Sequence, residues 1–428
     1  MKKSTITCDM EGRILTMNDG AEQVFGYPKE ELIGKKRVSI FSPGEIVLQN
    51  VEGWLDEAVK KGEYIGKTYF IKKNKEKFNA KIRITPTFAN GKDKAQTGYC
   101  GVTEVIEENV DVPINFSTKL IKGLAITRMP FTSASILPIL AVGAYFAGVG
   151  DGLFNILNFV LCIFGVLIAH LSVNVLNDYF DFKDGTDEEN NDYFQQVSGG
   201  SRAIELGLIT LAGTKKLGII LTIVALLIGG VILFSTNPAN VDTVLMITLI
   251  GLFLGYFYTA PPLRLVARRG LGELTIFLTF GPLITLGTAF AIFNGDLSMA
   301  QEHLMNCLYI GIPMGLLTTN ILLINEFPDM KSDTKTNKNH LVVTFGKKAS
   351  RWIYLLILGL TAYTTLMLAD SVGSEKLLIP LAILVLYGGY VFSILFKKYE
   401  NRELVAANWG TITLQALFSI AVCLTLLF

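Results

Sequence analysis

Charge of either sign is scarce in this chain. Only 18% of its 428 residues are Asp, Glu, Lys or Arg, and the two signs nearly cancel to a net +1. That balance leaves no broad positive field, so no nucleic-acid partner is expected. Histidine occurs three times, at His170, His303 and His340. The five cysteines, Cys8, Cys100, Cys162, Cys307 and Cys423, are scattered and odd in number. They form no CxxC pair and no metal spacing, and we read them as reduced and structural. The opening MKKSTITCDMEGR has no apolar stretch, so no signal peptide is expected. What the chain has in excess is apolar surface: half its residues are hydrophobic and its mean hydropathy is +0.44. At this length that points to a polytopic membrane protein.

The apolar material is unevenly spread. Residues 1–106 alternate charged and apolar residues and contain no run long enough to cross a bilayer. ITCDMEGRILTMNDGAEQVFGYPKEELIGKK reads as a strand, a turn at Glu11-Gly12, a second strand, and short helices ending at Gly34. EYIGKTYFIKKNKEKFNAKIRITPTF alternates with period two around Asn74–Glu76, which is a hairpin signal. TGYCGVTEVIEE reads as a closing strand. Residues 107–118, with Asp111 and Pro113, read as a linker.

From Lys119 onward nine apolar runs recur, at about 129–149, 155–178, 217–235, 242–258, 272–294, 304–325, 352–369, 377–396 and 408–428. Most are near the ~20 residues that a membrane-spanning helix needs. Basic residues gather before the first run and between runs two and three, four and five, six and seven, and eight and nine. The other connections hold a single one, Lys376. By the positive-inside rule the N-terminal region and all the basic loops are cytoplasmic, and the C-terminus is outside. The cell (inner or cytoplasmic) membrane is the expected location.

Two acidic clusters then fall on the same side. In NVLNDYFDFKDGTDEENNDYFQQVSGGSR, Asn174, Asn177, Asp178 and Asp181 stand at i, i+3, i+4 and i+7, one stripe of a helix. Asp184 and Asp187 follow once the helix gives way at Gly185. The second cluster, NEFPDMKSD, holds Asn325, Glu326, Asp329 and Asp333 at the end of run six. Ionisable groups at the ends of membrane helices are costly and mark function. Carboxylate and amide oxygens suit Mg²⁺, or alternatively Mn²⁺. Mg²⁺ prefers one or two carboxylates plus substrate phosphates, so facing clusters could hold a diphosphate, with Arg202, Lys338 and Arg264 neutralising the remaining charge. A lipid diphosphate would place its head at that rim and its tail among the Phe-, Leu- and Ile-rich helices.

Residues 119–428 resemble the UbiA superfamily of intramembrane prenyltransferases. The resemblance rests on NDYFDFKDGTD (Asn177, Asp178, Asp181, Asp187), on Asp329-x-x-x-Asp333 followed by Lys338 and Leu341 to Gly346, on the loop Tyr258 to Leu274, and on Arg128-Met129-Pro130. It implies a multi-pass α-helical bundle of nine transmembrane helices that transfers a polyprenyl group from an allylic diphosphate to an aromatic acceptor. It further implies metal binding by Asn177, Asp178, Asp181, Asp187, Asp329 and Asp333, with Asp178, Asp181, Asp329, Asp333 and Tyr258 at the chemistry. Substrate contacts are implied for Asn174, Asn177, Arg128, Arg202, Arg264 and Lys338. NDYFDFKDGTD and SGGSR (198–202) are similar to the branch that prenylates 1,4-dihydroxy-2-naphthoate in menaquinone biosynthesis. Two positions depart from that pattern: Asn337-Lys338-Asn339 stands in place of Gly-Lys-Arg, and Pro328 in place of a frequent Arg.

The N-terminal region resembles a small α+β PAS domain on Asp9, Gly12, Asn18, Ala21, Phe25, Gly26, Tyr27, Glu31, Leu32, Gly34 and Lys35. All three histidines lie elsewhere, which argues against a His-ligated haem, and the ligand is unknown. The resemblance leaves open a PAS-mediated dimer. Lacking catalytic motifs, residues 1–106 are expected to be dispensable for basal transfer.

Other readings stay open. The acidic clusters could serve a PAS-gated sensor or transporter, and the acceptor could be 4-hydroxybenzoate or a glycerol phosphate ether lipid. Asn174 could bond within the bundle, and His170 could be a satisfied polar group. Asp184 could be a surface charge, and His340 could touch the diphosphate. Pro328 is expected to break the helix at Phe327.

Overall fold

The computed structural model of the protein describes residues 3–91, 93–150, 152–185 and 200–428, with the side chain of Pro130 excepted. They form two compact units: Met1–Ile126 with Arg202–Leu211, and Thr127–Ser201 with Ala212–Phe428.

The first unit is built on five strands: β1 (Lys3–Asp9), β2 (Ile14–Met17), β3 (Tyr64–Ile71), β4 (Lys77–Thr87) and β5 (Gly98–Val105). They pair antiparallel in the order β2-β1-β5-β4-β3. The expected hairpin is the β3–β4 connection, closed by Lys72 N–H donating to the Glu76 carbonyl at 2.9 Å. Helix α1 (Asp19–Phe25) starts at Asn18, whose side chain accepts from the Ala21 N–H, and stops at Gly26 with φ +76°. Helix α2 (Glu52–Lys61) follows. Between sheet and helices Phe25 stacks on Phe41 at 4.0 Å between ring centres and meets Phe70 and Phe78 edge-on at 5.7 and 5.6 Å.

This unit extends past residue 106. Gln49 is the clasp. Its Nε2 donates to the Pro113 carbonyl at 3.0 Å, and its Oε1 accepts from Asn115 N–H at 2.8 Å and Thr118 Oγ1 at 2.9 Å. Lys122 pairs with Glu45 at 2.7 Å. Residues 113–122, which include the first turns of helix α3 (Phe116–Thr127), are thereby fixed to the domain. Arg202–Leu211 belongs here too. Glu205 pairs with Lys36 at 3.5 Å and with Arg202 at 2.5 Å, while Ala203 and Leu208 are buried. Gly44 lets the segment close in, since a Cβ there would stand 2.5 Å from the Leu206 carbonyl oxygen.

The second unit holds helices α4 (Ser133–Val149), α5 (Ile156–Lys183), α6 (Leu211–Ser235), α7 (Val241–Phe257), α8 (Leu271–Phe280), α9 (Pro282–Ile292), α10 (Gln301–Lys335), α11 (Leu341–Val372), α12 (Leu378–Lys398) and α13 (Val405–Leu427). Among the described residues, eight segments are long and apolar enough to cross a membrane, α8 and α9 counting as one. The ninth apolar helix, α4, has 17 residues, the lower end of the spanning range. Helix α10 is the most buried of the eight. Its Gly311 and Gly315 sit against Gly281, where α8 breaks into α9; a Cβ on Gly281 would meet the Gly311 carbonyl at 2.7 Å.

One expectation fails here. Helix α10 does not break at Phe327 but runs through Pro328 to Lys335. Proline cannot donate to the carbonyl four residues earlier, Ile324. Asn408 Nδ2 of α13 supplies that hydrogen bond instead, at 3.2 Å, and also donates to Asn325 Oδ1 at 2.7 Å. A donor from a neighbouring helix satisfies the freed carbonyl, so the helix carries Asp329, next to the proline, and Asp333, about 1.4 turns on.

Candidate functional site

The site lies where α5 and α10 end. Asp178 and Asp181 close α5, whose last helical residue is Lys183; Asp184 caps it and Gly185 turns away at φ +75°. Asp329 and Asp333 close α10. Lys338, in the turn after α10, joins the two helix ends. Its Nζ lies 3.9 Å from Asp181 Oδ2, and its backbone N–H donates to the Asp333 carbonyl at 2.8 Å. Burial works against the charge of Lys338, but Asp181, Asp333 and then Asp329 outweigh it and hold the amine above the ordinary lysine value.

His340 forms a second bridge. Its Nε2 faces Asp333 Oδ2 at 3.1 Å and its Nδ1 faces Glu326 Oε2 at 3.1 Å. Burial opposes protonation, yet the Glu326 and Asp333 carboxylates prevail and raise His340 to about 9. Asp333 is the hydrogen-bonded partner of Nε2, and the Val343 N–H lies 3.4 Å from Nδ1.

The loop between α7 and α8 closes against this turn. Arg269 N–H donates to the Asn339 carbonyl at 2.7 Å, and the Glu273 carboxylate accepts from Leu341 N–H at 2.7 Å. Within the loop, Tyr258 is buried and its carbonyl accepts from Val266 N–H at 3.0 Å. Thr259 donates to Asn177 Oδ1 at 2.7 Å, and Arg264 pairs with Asp184 at 3.2 Å. Asp178 accepts from the Ser201 N–H at 3.2 Å.

The structure thus brings Asn177, Asp178, Asp181, Asp329, Asp333 and Lys338 to one end of the bundle, with Tyr258 and Arg264 in the adjoining loop. Arg128 has left-handed backbone (φ +53°), lies over the Phe131 ring at 5.3 Å, and is within electrostatic reach of Asp178 and Asp181. Asn174 turns to the bundle, donating to the Thr127 carbonyl at 3.1 Å. Asp184 is tied to Arg264, and His170 is satisfied by Ser135 at 2.5 Å. Arg202 falls in the first unit, paired with Glu205. Asp187 lies outside the described residues, as do Ser198 and Gly199 of SGGSR. Among the described residues, no three carboxylate, imidazole or thiol groups stand close enough to hold a metal ion by themselves.

Sequence reasoning missed three members of the site. Glu326 was counted as part of an acidic cluster without a role, and Glu273 and Thr259 were not singled out. The spacing of Glu326 and Asp333, i and i+7 on one helix face, was the available signal for the first. Glu273 and Thr259 had none, because their partners are set by the loop's path.

The UbiA prenyltransferase family model matches residues 135–420, and a PAS domain matches residues 2–105. A 1,4-dihydroxy-2-naphthoate octaprenyltransferase of Haemophilus influenzae is 26% identical over 293 residues, which are 67% of this chain and 89% of that protein. A 2-carboxy-1,4-naphthoquinone phytyltransferase of Synechocystis is 28% identical over 54% of this chain and 69% of its own. Among solved structures, a UbiA homolog from Aeropyrum pernix without ligand superposes with a TM-score of 0.51 at 10% identity, over 68% of this chain and 97% of that one. The chain is a membrane-embedded member of the UbiA prenyltransferase family that carries an N-terminal PAS domain.

Proposed function

We propose that the chain moves a polyprenyl group from an allylic diphosphate to 1,4-dihydroxy-2-naphthoate, a step of menaquinone formation, with Mg²⁺ as cofactor. The observation that carries the reading is Lys338, whose ammonium lies 3.9 Å from Asp181 of one helix end and whose backbone N–H donates to the Asp333 carbonyl of the other. It supports a single entrance shared by the two acidic motifs.

The donor set fits a hard divalent cation. Asn177, Asp178, Asp181, Asp329 and Asp333 offer oxygen only, and Mg²⁺ takes one or two carboxylates per ion together with phosphate oxygens. Asp187 completes the proposed ligand set. Mn²⁺ is the alternative ion. When bound, the metal would stabilise the charge of the departing diphosphate. The protein's own groups do the rest. Lys338 and Arg264 offset phosphate charge, with Arg128 and Arg202 as further cationic contacts. The buried Tyr258 lines the mouth. The apolar helices behind it keep water from the allylic carbon while the acceptor ring attacks. Carbon–carbon bond formation at the naphthoate expels its carboxylate as CO₂, and the ring rearomatises. The names of the two relatives, a 1,4-dihydroxy-2-naphthoate octaprenyltransferase and a 2-carboxy-1,4-naphthoquinone phytyltransferase, favour this acceptor. The basic loops favour a cytoplasmic mouth and PAS domain, with the C-terminus outside, in the cytoplasmic membrane.

The test uses purified full-length chain with a radiolabelled allylic diphosphate and Mg²⁺, offered 1,4-dihydroxy-2-naphthoate or 4-hydroxybenzoate in parallel. Labelled prenyl-naphthoquinol is expected from the first alone. Transfer only to 4-hydroxybenzoate overturns the acceptor. No transfer to any acceptor, with and without metal, overturns the reading.

A further inference from the structure

Helix α3 has two unlike sides. At 100° per residue, with Phe116 at 0°, Leu120 lies at 40° and Ile121 at 140°, while Thr118 and Lys122 lie at about 200° and 240°. The second pair faces the unit's own fold: Thr118 donates to Gln49 and Lys122 pairs with Glu45. The first arc is bare. Phe116 is 81% exposed, Leu120 56% and Ile121 47%. Ser117, in the first turn, and Thr127, at the last position, are the polar side chains in that arc. Lys119 is exposed at its border.

An exposed Phe–Leu–Ile face on a helix whose other side is already used needs an occupant. Chain continuity says which. Helix α3 ends at Thr127, a single 3₁₀ turn spans Met129–Thr132, and α4 enters its apolar run at Ser133. Seven residues from Ile126 to Ser133 reach at most about 25 Å even when fully extended. The end of α3 therefore stays within that distance of the bilayer surface. An apolar stripe bordered by Lys, beside a membrane-spanning helix, has the pattern of a helix that lies in the headgroup–acyl boundary.

We propose that α3 is an in-plane membrane anchor. Phe116, Leu120 and Ile121 enter the boundary of the leaflet, Lys119 meets anionic headgroups, and the opposite side holds the PAS domain through Gln49 and Glu45. The domain is then not tethered by a free linker. It is joined to the lipid surface by this helix, and any state of its fold that disturbs the Gln49 clasp would be felt at the membrane. This is independent of the acceptor and of the metal, so it stands or falls apart from the proposed reaction.

The experiment uses the full-length chain in nanodiscs of phosphatidylcholine with phosphatidylglycerol. A Cys100→Ser background removes the half-exposed native thiol of the PAS domain. Single nitroxide labels are placed through Phe116→Cys, Leu120→Cys, Ile121→Cys and Lys119→Cys, all at exposed positions. Collision with dissolved oxygen is compared with collision with a water-soluble nickel chelate. Oxygen should exceed nickel several-fold at 116, 120 and 121, with the order reversed at 119. Greater nickel access at all four overturns the proposal, because the face then points to water. Spin–spin broadening between labels also overturns it, because a second copy of the chain then covers the face. As a check that needs no substitution, a diazirine-bearing lipid should crosslink within residues 116–121 of the unaltered chain, and absence of such adducts counts against the anchor.

Discussion

Removing the positive charge that joins the two acidic motifs tests the site more sharply than removing an acid. At 3.9 Å and an effective dielectric near 20, the Lys338–Asp181 attraction is about 4 kcal/mol. Both side chains keep some access to solvent, 16% and 18%, and Asp181 regains water when the amine is lost. Half of the Coulomb figure, about 2 kcal/mol, is a fair expectation, or roughly thirtyfold at 1.4 kcal/mol per decade. Lys338→Met keeps the length of the stem and deletes the charge. Without Mg²⁺ the purified variant should melt several degrees below the parent, because Asp181, Asp329 and Asp333 are left with less compensating charge. Millimolar Mg²⁺ should recover most of that loss. In transfer assays at saturating Mg²⁺, KM for the allylic diphosphate should rise by roughly thirtyfold, since one cationic contact to phosphate is gone. Thermal melts with and without metal, and initial rates against diphosphate concentration, give both readouts. A variant whose KM stays within twofold of the parent and whose melt is unchanged would show that Lys338 neither balances the acids nor meets the substrate.

Further outcomes are expected. Asp181→Ala and Asp329→Ala should each abolish transfer while the protein still inserts in the membrane, as read by membrane fractionation beside the radiolabel assay. Asn408→Leu should cost about 1–3 kcal/mol of stability by stranding the Ile324 carbonyl; in a Pro328→Ala background, which restores a backbone donor to that carbonyl, the cost should shrink, and a double-mutant cycle of thermal melts measures the difference. Deleting residues 1–106 should retain transfer per folded molecule but lower the melting temperature, because Ala203 and Leu208 lose the unit that buries them. Burial pushes the Cys8 thiol up to about 11. The thiol therefore stays protonated through neutral pH, and at pH 8 its alkylation in the native chain should run at least ~100-fold slower than in the denatured chain, rising as pH climbs towards 11.

Much of this fold follows from short-range pattern. Among the described residues each of the nine apolar runs falls on an apolar helix, or for 272–294 a helix pair, in the same order, and the alternation in residues 64–87 became β3 and β4. The stripe from Asn177 to Asp181 was legible because helical spacing is local, as was its end at Gly185. What was not legible depends on contacts between segments distant in the chain. The break expected at Pro328 followed correctly from proline's missing N–H; the helix survives because Asn408, 80 residues later, offers its amide to the orphaned carbonyl. Arg202 shows the same limit from the other direction. Its place in SGGSR suggested a phosphate contact, but nothing in that motif announced the pairing of its guanidinium with Glu205 or the folding of the segment with residues 1–126.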